Sequence, residues 1–114
     1  MRLVKRSQLE AFTTLDGSEI REYEHTDEQS LAEATVPARG ATAPHFHRRT
    51  EELYLFTAGR GRMRLGEETF DVAAGDCVTI PPGAEHQLWN ETEAPLVLLC
   101  CCSPPYSHDD TVLV

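Results

Sequence analysis

The chain is a series of short segments in which apolar and polar residues alternate, separated by glycine, proline and acidic residues. Alternation with a period of two puts successive side chains on opposite faces of a β-strand. Residues 6–12 are compatible with one short helical turn and residues 15–18 with a reverse turn, but no segment has the pattern of a long amphipathic helix. The alternation predicts an all-β fold, with strands at residues 19–24, 30–36, 43–46, 52–57, 61–65, 69–72, 77–80, 85–89 and 96–102.

A tight hairpin is predicted at residues 66–67, which separate two alternating segments. The first of these segments puts Met63 and Leu65 on one face and Arg62 and Arg64 on the other. We expect the two arginines to lie on a solvated outer face, because they point away from the side that faces the core. A phosphate-binding role is the alternative for them.

The segment 52–57 is apolar on both faces, since Leu53 and Leu55 alternate with Tyr54 and Phe56. A strand of this kind needs cover on both sides. A second copy of the chain is the simplest cover for the outer face, and the chain's own residues 3–12 are the alternative. We therefore expect a homodimer.

Length and charge limit what the protein can do. The 114 residues, 40% of them hydrophobic, suffice for one core, so we expect one domain over residues 1–114. The 10 basic and 19 acidic side chains give a formal net charge of -9, which disfavours nucleic acid and anionic membrane surfaces as partners. The N-terminus, residues 1–8, is charged and lacks the apolar core of a signal sequence, and no apolar stretch is long enough for a membrane span, so we place the protein in the cytoplasm.

Cysteine usage agrees with that location. Cys100, Cys101 and Cys102 are contiguous, and consecutive α-carbons lie about 3.8 Å apart, below the separations that disulfides need. A pair between Cys77 and one of the three stays open, and the spacing is not that of a zinc ribbon. We interpret the cysteines as small buried hydrophobic residues of a strand.

Candidate metal-binding chemistry begins at His45 and His47, which share one face of a predicted strand while Phe46 takes the other. The two imidazoles converge on one point and suit zinc, iron, nickel or copper, particularly if a carboxylate lies nearby. A pair of this kind is weak evidence by itself, because many such pairs are surface residues.

A third histidine follows a constrained turn. Residues 80–83 have the sequence Ile-Pro-Pro-Gly, which predicts a sharp reversal in which Gly83 adopts a positive φ. His86 then begins a new strand and shares its inner face with Leu88 and Asn90. The turn therefore delivers the third imidazole to the side of the strand that faces the core.

These residues resemble the two signature motifs of the cupin superfamily, G-x5-H-x-H-x3or4-E-x6-G and G-x5-P-x-G-x2-H-x3-N. The second motif is matched at every defined position from Gly75 to Asn90. The first is matched by His45, His47, Glu52 and Gly59. Glu51 also fits the spacing from the histidines, but seven residues separate it from Gly59, so Glu52 is the better match. One departure is Gly40, which is separated from His45 by four residues instead of five.

The resemblance covers about residues 30–102 and implies a cupin-type jelly-roll β-barrel. Residues 1–29 would form an N-terminal arm and first strand, and residues 103–114 a C-terminal tail with no evident catalytic role. It also implies a twofold homodimer and one divalent transition metal, iron, manganese, nickel, copper or zinc, whose ligands are His45, His47, Glu52 and His86. Two open positions on a six-coordinate metal would then accept water, dioxygen or a small chelating substrate.

Strand parity places Tyr54 and Phe56 on the face of Glu52 and Leu88 on the face of His86, so these three residues are the pocket candidates. Tyr54 serves either as a hydrogen-bond donor or acid toward substrate, or simply as a packed aromatic. A divalent ion with one carboxylate ligand keeps a formal charge near +1, which favours an anionic guest. His25, His108 and Asp109 lie outside both motifs and are expected to be exposed.

Two kinds of function follow from the resemblance. The first is a small-molecule metalloenzyme, either dioxygenase-like or a metal-assisted isomerase or lyase. The second is a non-catalytic, metal-dependent binding protein for a sugar or another metabolite. The complete ligand set favours the enzyme, and the missing helix-turn-helix argues against a stand-alone transcription regulator.

Overall fold

The computed structural model describes residues 2–114 and is built almost entirely of β-strands. Within the described residues the only helical element is one 3-10 turn at Arg6–Gln8. The strands are β1 (Phe12–Thr13), β2 (Glu19–His25), β3 (Ser30–Val36), β4 (His45–His47), β5 (Glu51–Ala58), β6 (Arg60–Leu65), β7 (Glu68–Ala73), β8 (Cys77–Ile80), β9 (His86–Trp89), β10 (Leu96–Ser103) and β11 (Thr111–Leu113).

Two antiparallel sheets form a jelly-roll barrel, which confirms the predicted fold class. One sheet has the strand order β1-β2-β3-β10-β5-β8, and the other has the order β11-β4-β9-β6-β7. The long central pairings are β10 with β3 and β10 with β5. Because consecutive strands often belong to different sheets, residues distant in the sequence meet inside the barrel.

Alternation along the strands builds the core between the sheets. In β10 the buried residues are Leu96, Leu98, Cys100 and Cys102, with less buried residues between them. Side chains of both sheets contribute to this core, and the most buried of them include Phe56, Met63, Ile80, Leu96 and Leu98. All four cysteines are free thiols, so the pairing considered for Cys77 does not occur.

Each predicted strand is present within two residues of its predicted bounds. The largest shift is in β4, which begins at His45 rather than at residue 43, because Pro44 has no N–H to donate to a neighbouring strand. The short strands β1 and β11 were not predicted. β11 pairs with β4 along its whole length, so the tail is part of the sheet that carries His45 and His47.

Two residues of the predicted motifs have structural roles. Gly59 has φ of +80°, and a Cβ there would lie 2.3 Å from the Pro95 carbonyl oxygen, so only glycine fits between β5 and β6. Asn90 is buried, and its Nδ2 donates to the carbonyls of Val36, Pro37 and Ala94. These residues fix the loops at one end of the barrel, away from the metal-binding candidates.

The N-terminal segment does not cover β5 on the outer face of the first sheet. Leu3 is 81% exposed, and the Arg6 guanidinium binds Glu33 on β3 rather than reaching β5. Leu53 and Leu55 are consequently 40% and 42% exposed. The alternative in which residues 3–12 cover this strand is therefore wrong.

On the second sheet, the predicted outer arginines make ion pairs at the surface. Arg62 Nε lies 3.4 Å from Asp71 Oδ1, and Arg64 lies 3.6 Å from Glu85 Oε2.

No helix among residues 2–114 has the length and apolar character needed to cross a membrane.

Candidate metal centre

Three strands bring the four metal-binding candidates together inside the barrel. His45 and His47 are the two buried ends of β4. His86 begins β9 and pairs directly with His45. Glu52 comes from β5 in the other sheet. One nitrogen or carboxylate oxygen of each residue lies within 4.8 Å of the corresponding atom of every other. The neighbouring Glu51 is exposed, so the structure assigns the carboxylate of this cluster to Glu52.

The Pro-Pro-Gly turn places His86 against the other histidines. Gly83 has φ of +81°, and its N–H donates to the carbonyl oxygen of His47 at 2.7 Å. The Ala84 N–H donates to the Pro81 carbonyl at 3.2 Å, which closes the reversal. The turn is therefore tied to β4 at a candidate ligand, and β9 begins beside it.

Main-chain carbonyls orient two of the imidazoles. Nδ1 of His45 lies 2.8 Å from the Ala43 carbonyl oxygen, and Nδ1 of His86 lies 2.9 Å from the Ala84 carbonyl oxygen. Because a carbonyl oxygen only accepts, these contacts assign the proton to Nδ1 in both rings. Each Nε2 then keeps its lone pair for the centre of the cluster, as a metal ligand must.

The third imidazole is oriented by the C-terminal tail. Nδ1 of His47 lies 3.0 Å from Thr111 Oγ1, and that hydroxyl donates its own proton to the Ser107 carbonyl at 2.8 Å. The Thr111 oxygen therefore accepts from His47 Nδ1, which leaves Nε2 as the free lone pair.

Glu52 is held in a similar way. The Cys102 thiol donates to Glu52 Oε2 at 3.4 Å, so Oε1 is the oxygen that faces the histidines. Oε1 lies 2.9 Å from Nε2 of His47 and 3.3 Å from Nε2 of His86, but neither approach has hydrogen-bond angles. Glu52 Oε1 and His86 Nε2 are thus buried polar atoms with no hydrogen-bond partner among the described residues.

The cluster's electrostatics favour a cation at its centre. Burial raises the pKa of Glu52, but the imidazoles of His47 and His86 outweigh burial and hold that pKa well below its usual range. Burial and the neighbouring His86 lower the pKa of His45, so its imidazole is neutral. For His47, burial lowers the pKa, but the Glu52 carboxylate raises it by more. An ionised, buried carboxylate needs a positive partner, which either a protonated imidazole or a bound metal ion would supply.

The donor set fits a divalent transition metal. Three imidazole nitrogens and one carboxylate oxygen are borderline ligands that iron, manganese, nickel, copper and zinc all accept. A metal would also satisfy the two unpartnered atoms, whose burial is costly in an empty site. The side chains that would hold the metal are His45, His47, Glu52 and His86.

A cavity leads from the cluster to the surface. Its volume is about 50 Å³, well below the roughly 300–1,000 Å³ usual for small-molecule sites. Tyr54 and Leu88 line this cavity, as the strand parity predicted. Phe56 does not, because it lies two residues further along β5 and is packed in the core at 1% exposure.

The sequence matches the Cupin domain family over residues 32–102, well over half of the chain. The chain belongs to the cupin family. It is also 42% identical to an uncharacterized protein of Methanocaldococcus jannaschii over 121 aligned positions, covering 100% of this chain and 97% of that protein.

Solved structures share this cupin fold at low sequence identity. A nucleoside dehydratase from Streptomyces superposes with a TM-score of 0.84 at 17% identity, covering 100% of this chain and 91% of that one. A polyketide cyclase from Streptomyces resistomycificus superposes with a TM-score of 0.81 at 23% identity, covering 91% and 80% of the two chains. At these identities the likeness concerns the fold.

Residues outside the family match form part of the cavity wall, which we call the mouth. Asp16 lies in the turn after β1, and its Oδ2 is 3.6 Å from Nε2 of His45. Tyr106 packs edge-on to the His47 ring at a centroid distance of 6.0 Å, and Thr111 orients the same imidazole. The sequence showed Asp16 only as a turn residue and the tail only as polar and proline-rich, so no local signal distinguished these positions.

The remaining polar candidates lie around this mouth or away from it. His25, His108 and Asp109 are exposed, and His108 Nδ1 lies 3.1 Å from the Tyr106 hydroxyl. Asp110 is buried, unlike its neighbour, and its carboxylate accepts the N–H groups of Arg49 and Thr50 at 3.0–3.2 Å. The tail of this cupin therefore supports the loop that joins His47 to Glu52.

Proposed function

We propose that this cupin is a metal-dependent enzyme acting on a small chelating molecule, by dioxygenase-type oxidation or by metal-assisted isomerisation or elimination. The observation that carries the proposal is the buried cluster of three imidazoles and one carboxylate, three of whose residues line a narrow cavity. A divalent ion held there would supply Lewis-acid or redox chemistry. The coordinating oxygens of a chelating substrate would then meet the cluster at the inner end of the cavity.

The cavity wall supplies groups suited to substrate binding. Tyr54 lies beside the cluster, with its ring 5.9 Å from that of His86, and its hydroxyl can donate to a substrate oxygen. Ala34, Val36 and Leu98 form an apolar wall of the cavity farther from the cluster. The rigid placement of these residues on strands supports a fixed orientation of the substrate.

The experiment combines metal identification with turnover. The purified protein is analysed for metals by mass spectrometry, then assayed with catechols, diketones and hydroxy acids by oxygen uptake and by product analysis. We expect metal-dependent turnover of at least one chelator, lost in His86→Ala and retained in His25→Ala, whose imidazole is exposed and outside the cluster. Turnover that survives His86→Ala would contradict the proposed site.

We further propose that two copies of the chain pair through the outer face of the first sheet. Leu31 on β3 and Leu53 and Leu55 on β5 are 38–42% exposed on one face. Leu99 and Cys101 of β10 lie between them in the strand register. These residues form a continuous apolar patch, and a second copy of the same chain offers a matching one under twofold symmetry.

A further inference from the structure

We infer that Asp16 is a specificity-determining residue that accepts a hydrogen bond from a hydroxyl of the ligand, so that the cavity prefers uncharged vicinal diols to carboxylates and phosphates. This inference rests on the proposed metal-dependent function of the same site. It concerns which chelators enter the cavity, and it adds a residue that neither cupin motif contains.

The main chain fixes Asp16 directly against the cluster. The Asp16 carbonyl oxygen accepts the N–H of Ala43 at 2.7 Å, two residues before His45. The Asp16 side chain is only 12% exposed, and its Oδ2 lies 3.6 Å from Nε2 of His45, the nitrogen that faces the centre. Asp16 is not one of the four residues whose ligand atoms converge. Its carboxylate therefore faces the place where a molecule bound at the metal would lie.

The turn around Asp16 leaves acceptor capacity on the oxygen that faces the cavity. Oδ1 accepts from Thr14 Oγ1 at 2.5 Å and from the Ser18 N–H at 3.0 Å, while Oδ2 accepts only from Ser18 Oγ, at 3.0 Å. A carboxylate has about four acceptor positions, two on each oxygen. One position on Oδ2 is therefore free for a ligand hydroxyl, and the other three hold the side chain still.

The charge of the cavity wall disfavours anionic ligands. Three carboxylates line the cavity, those of Asp16, Glu22 and Glu52, and no Lys or Arg does so among the described residues. Recognition of carboxylates and phosphates normally uses the paired donors of Arg or Lys. A divalent ion with Glu52 keeps a charge near +1, which Asp16 and Glu22 outweigh. The charge of a metal with one carboxylate ligand predicted an anionic ligand. The negative charge of the cavity wall disfavours such a ligand.

An uncharged vicinal diol fits these groups better. Its two oxygens chelate one cation, and a hydroxyl proton is available for Asp16 Oδ2. A carboxylate chelates equally well but brings no such proton and adds negative charge beside Asp16. Repulsion of the wrong ligand is as effective a source of selectivity as attraction of the right one.

The test compares catechol with phthalate, in which carboxylates replace both hydroxyls of the same ring. Zinc-loaded protein is titrated with each by calorimetry, because zinc avoids oxidation of the catechol, and each affinity is divided by the affinity of the same ligand for free zinc. We expect the wild type to favour catechol over phthalate by at least about tenfold on this relative scale. Asp16→Asn, which keeps the shape and the Oδ1 acceptor, should weaken catechol binding by about 10- to 100-fold and reduce the preference.

Asp71→Asn is the matched control, since it removes one carboxylate from the exposed outer face of β7. It should leave both affinities unchanged. Equal or tighter relative binding of phthalate by the wild type, or an unchanged preference in folded, zinc-loaded Asp16→Asn, would overturn the inference. The wild-type comparison needs no variant, so it can overturn the inference even if Asp16→Asn fails to fold. A wild type that binds none of the five candidate divalent ions would instead refute the proposed function, which distinguishes the two failures.

Discussion

At the residue scale, each candidate ligand is aimed by a second group that takes its other polar atom. Carbonyl oxygens hold Nδ1 of His45 and His86, Thr111 holds Nδ1 of His47, and the Cys102 thiol holds Oε2 of Glu52. The free atoms of all four ligands consequently face one another. The motif identifies the ligands, whereas their orientation depends on groups that the motif does not specify.

The contact between Cys102 and Glu52 makes a testable prediction. Cys102→Ala removes the donor from Oε2, so the carboxylate can rotate and metal affinity should fall by about tenfold. Cys102→Ser keeps a donor and should retain most of the affinity. Cys101→Ala is the control, because Cys101 lies on the opposite face of β10. Affinities are measured by competition with a chromogenic chelator, and an unchanged affinity in folded Cys102→Ala would show that the thiol does not position Glu52.

At the scale of elements, the site depends on a loop that the tail stabilises. Residues 48–50 connect β4, which carries two histidines, to β5, which carries Glu52. Asp110 accepts the N–H groups of Arg49 and Thr50, and Thr50 Oγ1 donates to the Pro104 carbonyl at 3.0 Å. The tail therefore sets the spacing between the two sheets at the metal-binding end of the barrel.

Asp110 makes the stability of the fold depend on pH. Burial raises the pKa of its carboxyl, but the N–H groups of Arg49 and Thr50 outweigh burial and hold that pKa below the ordinary 3.8. A lowered pKa in the folded state means that this stabilisation is present above pH 3.8 and is lost as the pH falls through the folded pKa. At neutral pH we expect Asp110→Asn to cost about 1–3 kcal/mol in the free energy of unfolding.

Urea unfolding of the wild type and Asp110→Asn, from neutral pH to about pH 3, checks this expectation. The difference in the free energy of unfolding between the two proteins should narrow as the pH falls. Asp109→Asn is the matched control, because Asp109 is exposed and its replacement should leave the free energy of unfolding unchanged. A difference between the wild type and Asp110→Asn that stays constant over the whole pH range would contradict a role for the ionised Asp110 carboxylate.

At the scale of the whole molecule, the centre of the chain was more predictable than its ends. Alternation located the strands from β2 to β10, and the spacing of His45, His47, Glu52 and His86 located the cluster that the structure brings together. β1 has two residues and β11 follows a polar, proline-rich tail, so neither has enough alternation to be recognised. Contacts such as that of Thr111 with His47 join residues 64 positions apart, and no local pattern predicts them.

The candidate site draws on residues inside and outside the cupin match. The candidate ligands lie inside the match at residues 32–102, whereas Asp16 and Tyr106, which also line the cavity, lie outside it. Asp16 lies against His45, and Tyr106 packs against His47. The arm and the tail therefore complete the cavity wall around the candidate ligands.

The proposed dimer is also tested at this scale. Leu53→Lys puts a charge in the centre of the outer apolar patch and should convert a dimer to a monomer in sedimentation velocity. Leu15→Lys is the control, since Leu15 is similarly exposed at 47% but lies in the turn at the cavity mouth. A wild type that sediments as a monomer, or a Leu53→Lys dimer, would rule out this interface.

The most direct test of the proposed metal centre is the metal content of the wild type and of two variants, each with one substitution, at the adjacent positions 51 and 52. After reconstitution and removal of loose ions, we expect about one divalent metal per chain in the wild type and in Glu51→Gln, whose carboxylate is exposed. Glu52→Gln removes the only carboxylate of the cluster and should lose most of the metal while remaining folded. Full metal content in folded Glu52→Gln, or no metal in the wild type with any of the five candidate ions, would contradict the proposed centre.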